Sequence, residues 1–194
     1  VITTQPSSAA QTYCLNATPT DLSVTATGLG LTYQWYKNTT ASTSGATLLT
    51  GATSSTYTPV TSTASALYYY CVVTGTCTTV TSGFSGLITV KPLSVGGTAT
   101  ATATAVCPSS TTTITLTGYT GTIQWQSSPN NSTWTNISGA TAATYTTTAL
   151  NATTYFRAVV TSGVCSVANS NVLTVTVTTI ALPTTTTSIS ECQG

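Results

Sequence analysis

Six cysteines carry most of the chemical reactivity in this chain of 194 residues, which contains no histidine. Cysteine without histidine favours disulfides over a metal site. Disulfides persist in oxidising compartments, so we expect an extracellular protein. The cysteines are Cys14, Cys71, Cys77, Cys107, Cys165 and Cys192.

The sequence offers little for catalysis. The chain has two carboxylates, Asp21 and Glu191, which lie far apart in the sequence and do not form an acid–base pair. The spacing of Cys71 and Cys77, with five residues between them, is not that of a zinc site. Two acidic residues are too few for a charged calcium cage. We therefore expect no enzyme activity, no cofactor and no metal.

One unit of roughly 90 residues occurs twice. "GATSSTYTP" (51–59) returns as "GATAATYTT" (139–147), and "YQWYKN" (33–38) returns as "IQWQSS" (123–128). A repeated unit of this length is a small domain and not one turn of a solenoid. We predict one repeat over 1–91 and a second over 92–179. Residues 180–194 are predicted to form a linker and the incomplete start of a third repeat, with Cys192 at the position of Cys14 and Cys107.

Apolar residues alternate with polar ones throughout both repeats. Leu22, Val24 and Ala26 alternate with Ser and Thr, as do Ile114 and Leu116. A period of two predicts β-strands with one buried face, and threonine and valine suit a pleated surface. The spacing of turn residues predicts about seven short strands in each repeat. The expected fold is all-β, with tandem antiparallel sandwiches.

A tryptophan occupies the predicted third strand of each repeat, at Trp35 and Trp125, where a large ring can fill the core between two sheets. "SALYYYC" (65–71) is similar to the "SAxYYC" motif of variable domains, with one residue inserted. The repeats therefore resemble immunoglobulin-like domains, which implies a two-sheet sandwich.

The cysteine positions depart from that family. Aligning the two repeats sets Cys14 against Cys107 and Cys77 against Cys165, with Cys71 opposite an alanine. We predict the disulfides Cys14–Cys77 and Cys107–Cys165, which would leave Cys71 as a buried free thiol. The alternative for the first repeat is Cys14–Cys71.

Charge and aromatic residues limit the partners. Only 3% of the residues are charged and the net charge is +1, which offers no surface for nucleic acid and no polybasic patch for lipid. No apolar run is long enough to cross a membrane, so direct membrane insertion is not expected. Trp134 has no counterpart in the first repeat and is the candidate for stacking on a sugar; the alternative is that it covers the edge of the core.

Segments such as "YYYCVVTGTC" (68–77) and "GTIQWQSSPNNSTWTNISGAT" (121–141) are similar to tandem immunoglobulin-like repeats of large Bacteroidota cell-surface proteins. These are adhesins exported by type IX secretion, of the gliding adhesin SprB kind. The resemblance implies a structural stalk at the cell surface. Its partners would be neighbouring repeats and, beyond them, surface polysaccharide or other surface proteins. The alternatives are a subunit of an extracellular filament and a carbohydrate-binding region of a secreted enzyme.

Overall fold

The computed structural model describes residues 1–179. The predicted third-repeat start, with Cys192, lies outside these residues. The described residues form only strands, turns and irregular segments, and contain no helix able to cross a membrane. Their Cα positions divide into two compact units. Unit 1 holds Val1–Gly96, Gly118–Thr122 and Val160–Asn169, and unit 2 holds Gly97–Thr117, Ile123–Val159 and residues 170–179.

The first repeat contains ten strands in two layers. One layer is a sheet in the order β2-β10-β8-β5-β6, with β9 also paired to β8, and the other consists of the pairs β1–β4 and β3–β7. The β2–β10 pair is parallel, whereas the other pairs are antiparallel. The strands are β1 (Ile2–Thr4), β2 (Gln11–Cys14), β3 (Leu22–Ser23), β4 (Thr25–Ala26), β5 (Thr32–Asn38), β6 (Thr47–Leu48), β7 (Thr56–Tyr57), β8 (Ser65–Thr74), β9 (Thr79–Thr81) and β10 (Ile88–Lys91).

The second repeat has the same arrangement in nine strands. One sheet has the order β12-β19-β17-β14-β15, with β18 paired to β17, and the other has the order β11-β13-β16. The strands are β11 (Thr98–Ala101), β12 (Ala105–Val106), β13 (Thr113–Thr117), β14 (Thr122–Ser128), β15 (Thr135–Asn136), β16 (Thr144–Thr146), β17 (Thr154–Thr161), β18 (Ala168–Asn169) and β19 (Leu173–Val177).

The alternating residues form the core, as the sequence predicts. Leu22, Val24, Ile114 and Leu116 are each at most 2% exposed. There are more strands than the seven expected because some predicted strands are interrupted. Val24, for example, separates β3 from β4 and donates its backbone N–H to Ser55 O (2.9 Å). The all-β, antiparallel sandwich class is confirmed.

Trp35 and Trp125 lie at the centre of the two repeats and are both 0% exposed. Each indole N–H still has an acceptor: Trp35 Nε1 donates to Ser54 O (2.9 Å) and Trp125 Nε1 to Ala142 O (3.0 Å). A buried indole without such a partner would incur the desolvation cost of its N–H group. The repeated segment that begins "GAT" therefore supplies the acceptor for each core tryptophan.

The glycine that opens this segment is required by the turn. Gly51 and Gly139 have φ values of 77° and 74°, which favour glycine. The following residues, Ala52 and Ala140, donate backbone N–H groups back across the turn, and their carbonyl groups accept from the backbone N–H of the core tryptophans (3.0 and 2.9 Å). The near-identical "GATSSTYTP" and "GATAATYTT" segments are thus a structural motif.

Tyr69 on β8 completes the core of the first repeat and is 2% exposed. Its ring centroid lies 5.4 Å from that of Tyr57, which in turn lies 5.9 Å from that of Trp35. Desolvation by burial, together with the nearby Tyr57, raises the pKa of Tyr69 from 10.0 to about 12. This phenol is therefore protonated at every pH near neutrality.

Candidate functional site: the cysteine pair of unit 1

A disulfide joins Cys14 to Cys165, with a Cα–Cα distance of 5.4 Å. This separation is within the usual range for the bond. Both cysteines belong to unit 1. In the sequence, however, Cys14 lies near the start of the first repeat and Cys165 lies in the β17–β18 hairpin of the second. The bond therefore links positions that are 151 residues apart.

The backbone around Cys14 is held by the last strand of the first repeat. Cys14 pairs with Lys91 in the parallel β2–β10 ladder, and the next residue, Leu15, donates its N–H to Lys91 O (2.9 Å). Asn16 then adopts a φ of 64° and donates its N–H to Thr61 O (2.9 Å). These bonds fix the backbone at the half-buried Cys14, the last residue of β2.

Cys165 is positioned by a tight turn and by the segment that follows β10. Its N–H donates to Ser162 O (3.0 Å), and the N–H of Ser162 donates to the hydroxyl of Ser94 (2.9 Å). The sulfur lies 3.5 Å from Pro92 O, and Cys165 is only 5% exposed. The bond is therefore shielded by residues on both sides.

Two further contacts within unit 1 hold the same segment. Val95 and Thr120 form an antiparallel bridge with reciprocal N–H···O bonds of 3.2 and 3.0 Å. Gly163 has a φ of 58°, and a Cβ added there would lie 3.0 Å from Lys91 Cγ. A glycine at this turn lets it approach Lys91 closely.

The predicted Cys14–Cys77 pairing is wrong because the two cysteines lie beyond opposite ends of β8. Cys14 pairs with Lys91 on β10. The neighbouring residue on β10, Val90, pairs with Ser65, the first residue of β8. Cys77 follows the end of the strand, ten residues and about 33 Å further along. A disulfide requires Cα atoms within about 7 Å.

The predicted Cys107–Cys165 pairing is wrong for a similar reason. Cys107 follows β12, which pairs with β19, and β19 pairs with the beginning of β17. Cys165 follows the end of the eight-residue β17. Aligning the repeats correctly identifies equivalent cysteines, but it does not identify the repeat that supplies the partner.

Cys107 is exposed and forms no disulfide within the described residues. Its backbone nevertheless has the geometry of Cys14. Ser109 has a φ of 61°, close to that of the equivalent Asn16, and donates its N–H to Leu150 O (2.8 Å). The position is thus built like the bonded one.

Cys77 is also exposed and unpaired within residues 1–179. It occupies the tip of the β8–β9 hairpin, as Cys165 occupies the tip of the β17–β18 hairpin. The tip is closed by a bond from Gly75 N–H to Thr78 O (2.9 Å) and tied to a neighbouring loop by a bond from Thr76 N–H to Leu29 O (3.2 Å).

A mainly apolar groove of about 300 Å³ lies beside Cys77 in the first repeat. Several of the residues that line it are unusually exposed for apolar side chains: Val1 is 82% and Leu29 is 80% exposed. The principal lining residues are Val1, Ile2, Leu29, Leu31, Cys77 and Val80.

Cys71 is fully buried opposite Trp35 in the β5–β8 ladder and forms no disulfide among the described residues. The alternative Cys14–Cys71 pairing does not occur, since Cys14 is bonded to Cys165. Burial raises the pKa of the Cys71 thiol, partly offset by a backbone hydrogen bond from Gln34 that lowers it. No group of three or more His, Cys, Asp or Glu side chains suited to a metal ion occurs in this part of the chain.

Trp134, the candidate for sugar stacking, is half-buried and precedes β15. The guanidinium carbon of Arg157 lies 4.3 Å from its ring centroid, a cation–π contact. Arg157 is itself held by a hydrogen bond from its Nε to Gln126 Oε1 (2.8 Å). One face of the indole is therefore covered by the protein.

A family model described as a domain of unknown function (DUF8696) matches the chain twice, over residues 3–92 and 95–179. A search of curated proteins finds no match.

Solved structures of low sequence identity share the fold. The structure of mouse coronavirus receptor-binding domain complexed with its murine receptor matches with a TM-score of 0.52 and 15% identity, covering 86% of this chain and 96% of that chain. The N-terminal four Ig domains of Dscam1 isoform 7.44 match with a TM-score of 0.51 and 11% identity, covering 90% of this chain and 46% of that chain. The two repeats are immunoglobulin-like sandwiches.

Proposed function

The chain belongs to the DUF8696 family, a domain family of unknown function, through both of its repeats, and we propose that it is a structural stalk of a large extracellular cell-surface adhesin. In this role the repeats hold an adhesive region away from the cell. The resemblance to repeats of Bacteroidota adhesins supports export by type IX secretion and a part in surface attachment or gliding motility.

The Cys14–Cys165 disulfide is the observation that carries this proposal. It fastens the hairpin of one sequence repeat to the start of the other, within unit 1. Such a bond has no bearing on substrate chemistry, but it resists separation of the joined segments. It also survives only in an oxidising compartment, which supports an extracellular location.

The nearly uncharged composition supports the same role. With 3% charged residues, the surface is hydrated mainly by hydroxyl and amide groups. Exposed ion pairs weaken as salt rises, whereas a surface with few charges changes little with ionic strength. The expected partners are neighbouring repeats, and beyond them surface polysaccharide or other surface proteins.

Protease treatment of intact cells, followed by fractionation, tests the proposal. Intact cells that make the protein are treated with a protease that cannot enter them, and surface, membrane and medium fractions are probed with an antibody to this chain. Gels are run with and without reductant. We expect one very large surface band that disappears when intact cells are treated.

Two results would contradict the stalk. A band that survives protease until the cells are broken would place the protein inside the cell. A band near the 19.6 kDa of this chain, recovered in sedimentable fibres that depolymerise to it, would instead identify a filament subunit.

A further inference from the structure

The four cysteines at equivalent positions differ in whether they form a disulfide. Cys14 and Cys165 are bonded, whereas among the described residues their counterparts Cys107 and Cys77 are exposed thiols. The counterparts have matching surroundings, since the turn after Cys107 has the same geometry as the turn after Cys14, and Cys77 occupies the same hairpin tip as Cys165. Local structure therefore does not explain why only one pair is joined.

The order of the repeats that supply the two cysteines explains this difference. The bonded pair combines the start of one repeat with the hairpin of the next repeat along the sequence. By the same rule, Cys107 requires the hairpin of a following repeat and Cys77 requires the start of a preceding one. We propose that Cys77 forms the same disulfide with the start cysteine of a preceding repeat of the array, and Cys107 with the hairpin cysteine of a following one. Cys107 of one copy of this chain should then be able to pair with Cys77 of another in solution.

The groove beside Cys77 fits this partner. In the second repeat, the hairpin and the neighbouring loop contact the segment that follows β10, through Pro92, Ser94 and Val95. In the first repeat, the equivalent hairpin and loop line the open apolar groove. The occupant that the chain itself indicates is the segment that follows the last strand of a preceding repeat, beside the disulfide formed by Cys77.

Formation of the bond needs an oxidant, for which a small-molecule disulfide suffices. The Cys107 thiolate attacks the oxidant, forming a mixed disulfide and releasing one small thiol. The Cys77 thiolate then attacks the Cys107 sulfur and releases the second small thiol. The two protein thiols lose two electrons, the oxidant gains them, and both protons end on the released thiols.

Complementary variants test the pairing. One chain carries Cys77→Ser and keeps Cys107, and the other carries Cys107→Ser and keeps Cys77; Cys192→Ser is present in both. Each is incubated alone and in an equal mixture with oxidised and reduced glutathione. Both changes are at exposed positions, so both variants are expected to fold.

We expect a reducible dimer, twice 19.6 kDa, only in the mixture. Equal dimer yield from either variant alone would mean unselective thiol oxidation, and no dimer in the mixture would mean that the two ends do not recognise each other. Either result overturns the proposal.

A second variant tests the groove. Adding Leu29→Asp to the chain that keeps Cys77 places a charge in the apolar lining and is expected to lower the mixed-dimer yield about tenfold. The matched control is Val60→Asp, at an exposed valine of the same repeat that does not line the groove. An equal yield from both would refute docking in the groove.

The inference rests on the proposed role as an array repeat, but its test uses only the purified chain. Failure of the pairing would leave surface exposure on cells unaffected. An intracellular location would refute the stalk without changing the crosslinking result.

Discussion

Removing the Cys14–Cys165 disulfide should destabilise the chain strongly. The bond closes a loop of 151 residues, which corresponds to about 5 kcal/mol of unfolding free energy in the chain-entropy model. At a urea dependence of about 2 kcal/mol/M, the Cys14→Ser/Cys165→Ser variant should unfold at about 2.5 M lower urea than the oxidised parent. Cys77→Ser, which removes an exposed thiol that is unpaired within residues 1–179, is the matched control and should leave the midpoint unchanged.

The assay is urea unfolding followed by tryptophan fluorescence, since a buried tryptophan reports on the core of each repeat. The parent is measured oxidised and after reduction, and the reduced parent should behave like the double variant. Equal midpoints for the oxidised and reduced parent would refute the reasoning, because a long closed loop must limit the unfolded ensemble.

A peptide map identifies the bond independently. Trypsin cuts after Lys37 and Arg157, whereas Lys91 is followed by proline, so the main fragments are 1–37, 38–157 and 158–194. In a Cys192→Ser chain, Cys14–Cys165 joins the two end fragments and leaves the middle one separate. Linkage of either end fragment to 38–157 would show that the structure has the wrong pairing.

Three further predictions concern the buried groups. Trp125→Phe leaves Ala142 O without its indole donor and should cost about 2 kcal/mol by urea unfolding, with Trp134→Phe at a half-buried site as the milder control. Because the folded pKa of Tyr69 is raised from 10.0 to about 12, the unfolded chain loses this proton first. Stability should therefore fall by roughly 2 kcal/mol as pH rises from 10 to 12, and Tyr69→Phe should lack that part of the loss. Burial and a raised pKa should keep the Cys71 thiol unreactive towards an aromatic disulfide reagent until the chain unfolds. The exposed thiols should react at once. Reaction of Cys71 in the native chain would contradict its burial.

The sequence predicts the sandwich because burial in a strand follows a period of two. Ile114 and Leu116, identified by alternation alone, are 0% and 2% exposed. The repeated tryptophans are likewise buried, because a large ring on the third strand fills the core between the two sheets.

The disulfide could not be read from the sequence because equivalence between repeats is not proximity. Cys14 and Cys77 lie beyond opposite ends of β8, a distance that depends on strand length and direction. The buried serines were also missed. Ser82 and Ser170 accept backbone N–H bonds from Cys71 and Ala158, and in a chain so rich in serine nothing marks these two.

The loop closed by Cys14 and Cys165 also determines how the chain responds to tension. A pull applied at both ends would pass from Cys14 to Cys165 through sulfur, so the 151-residue span between them carries no load even if its strands separate. Fully extended, that span would add about 500 Å of length. While the bond is intact this length is not released under load, and the molecule acts as a tether of nearly constant length.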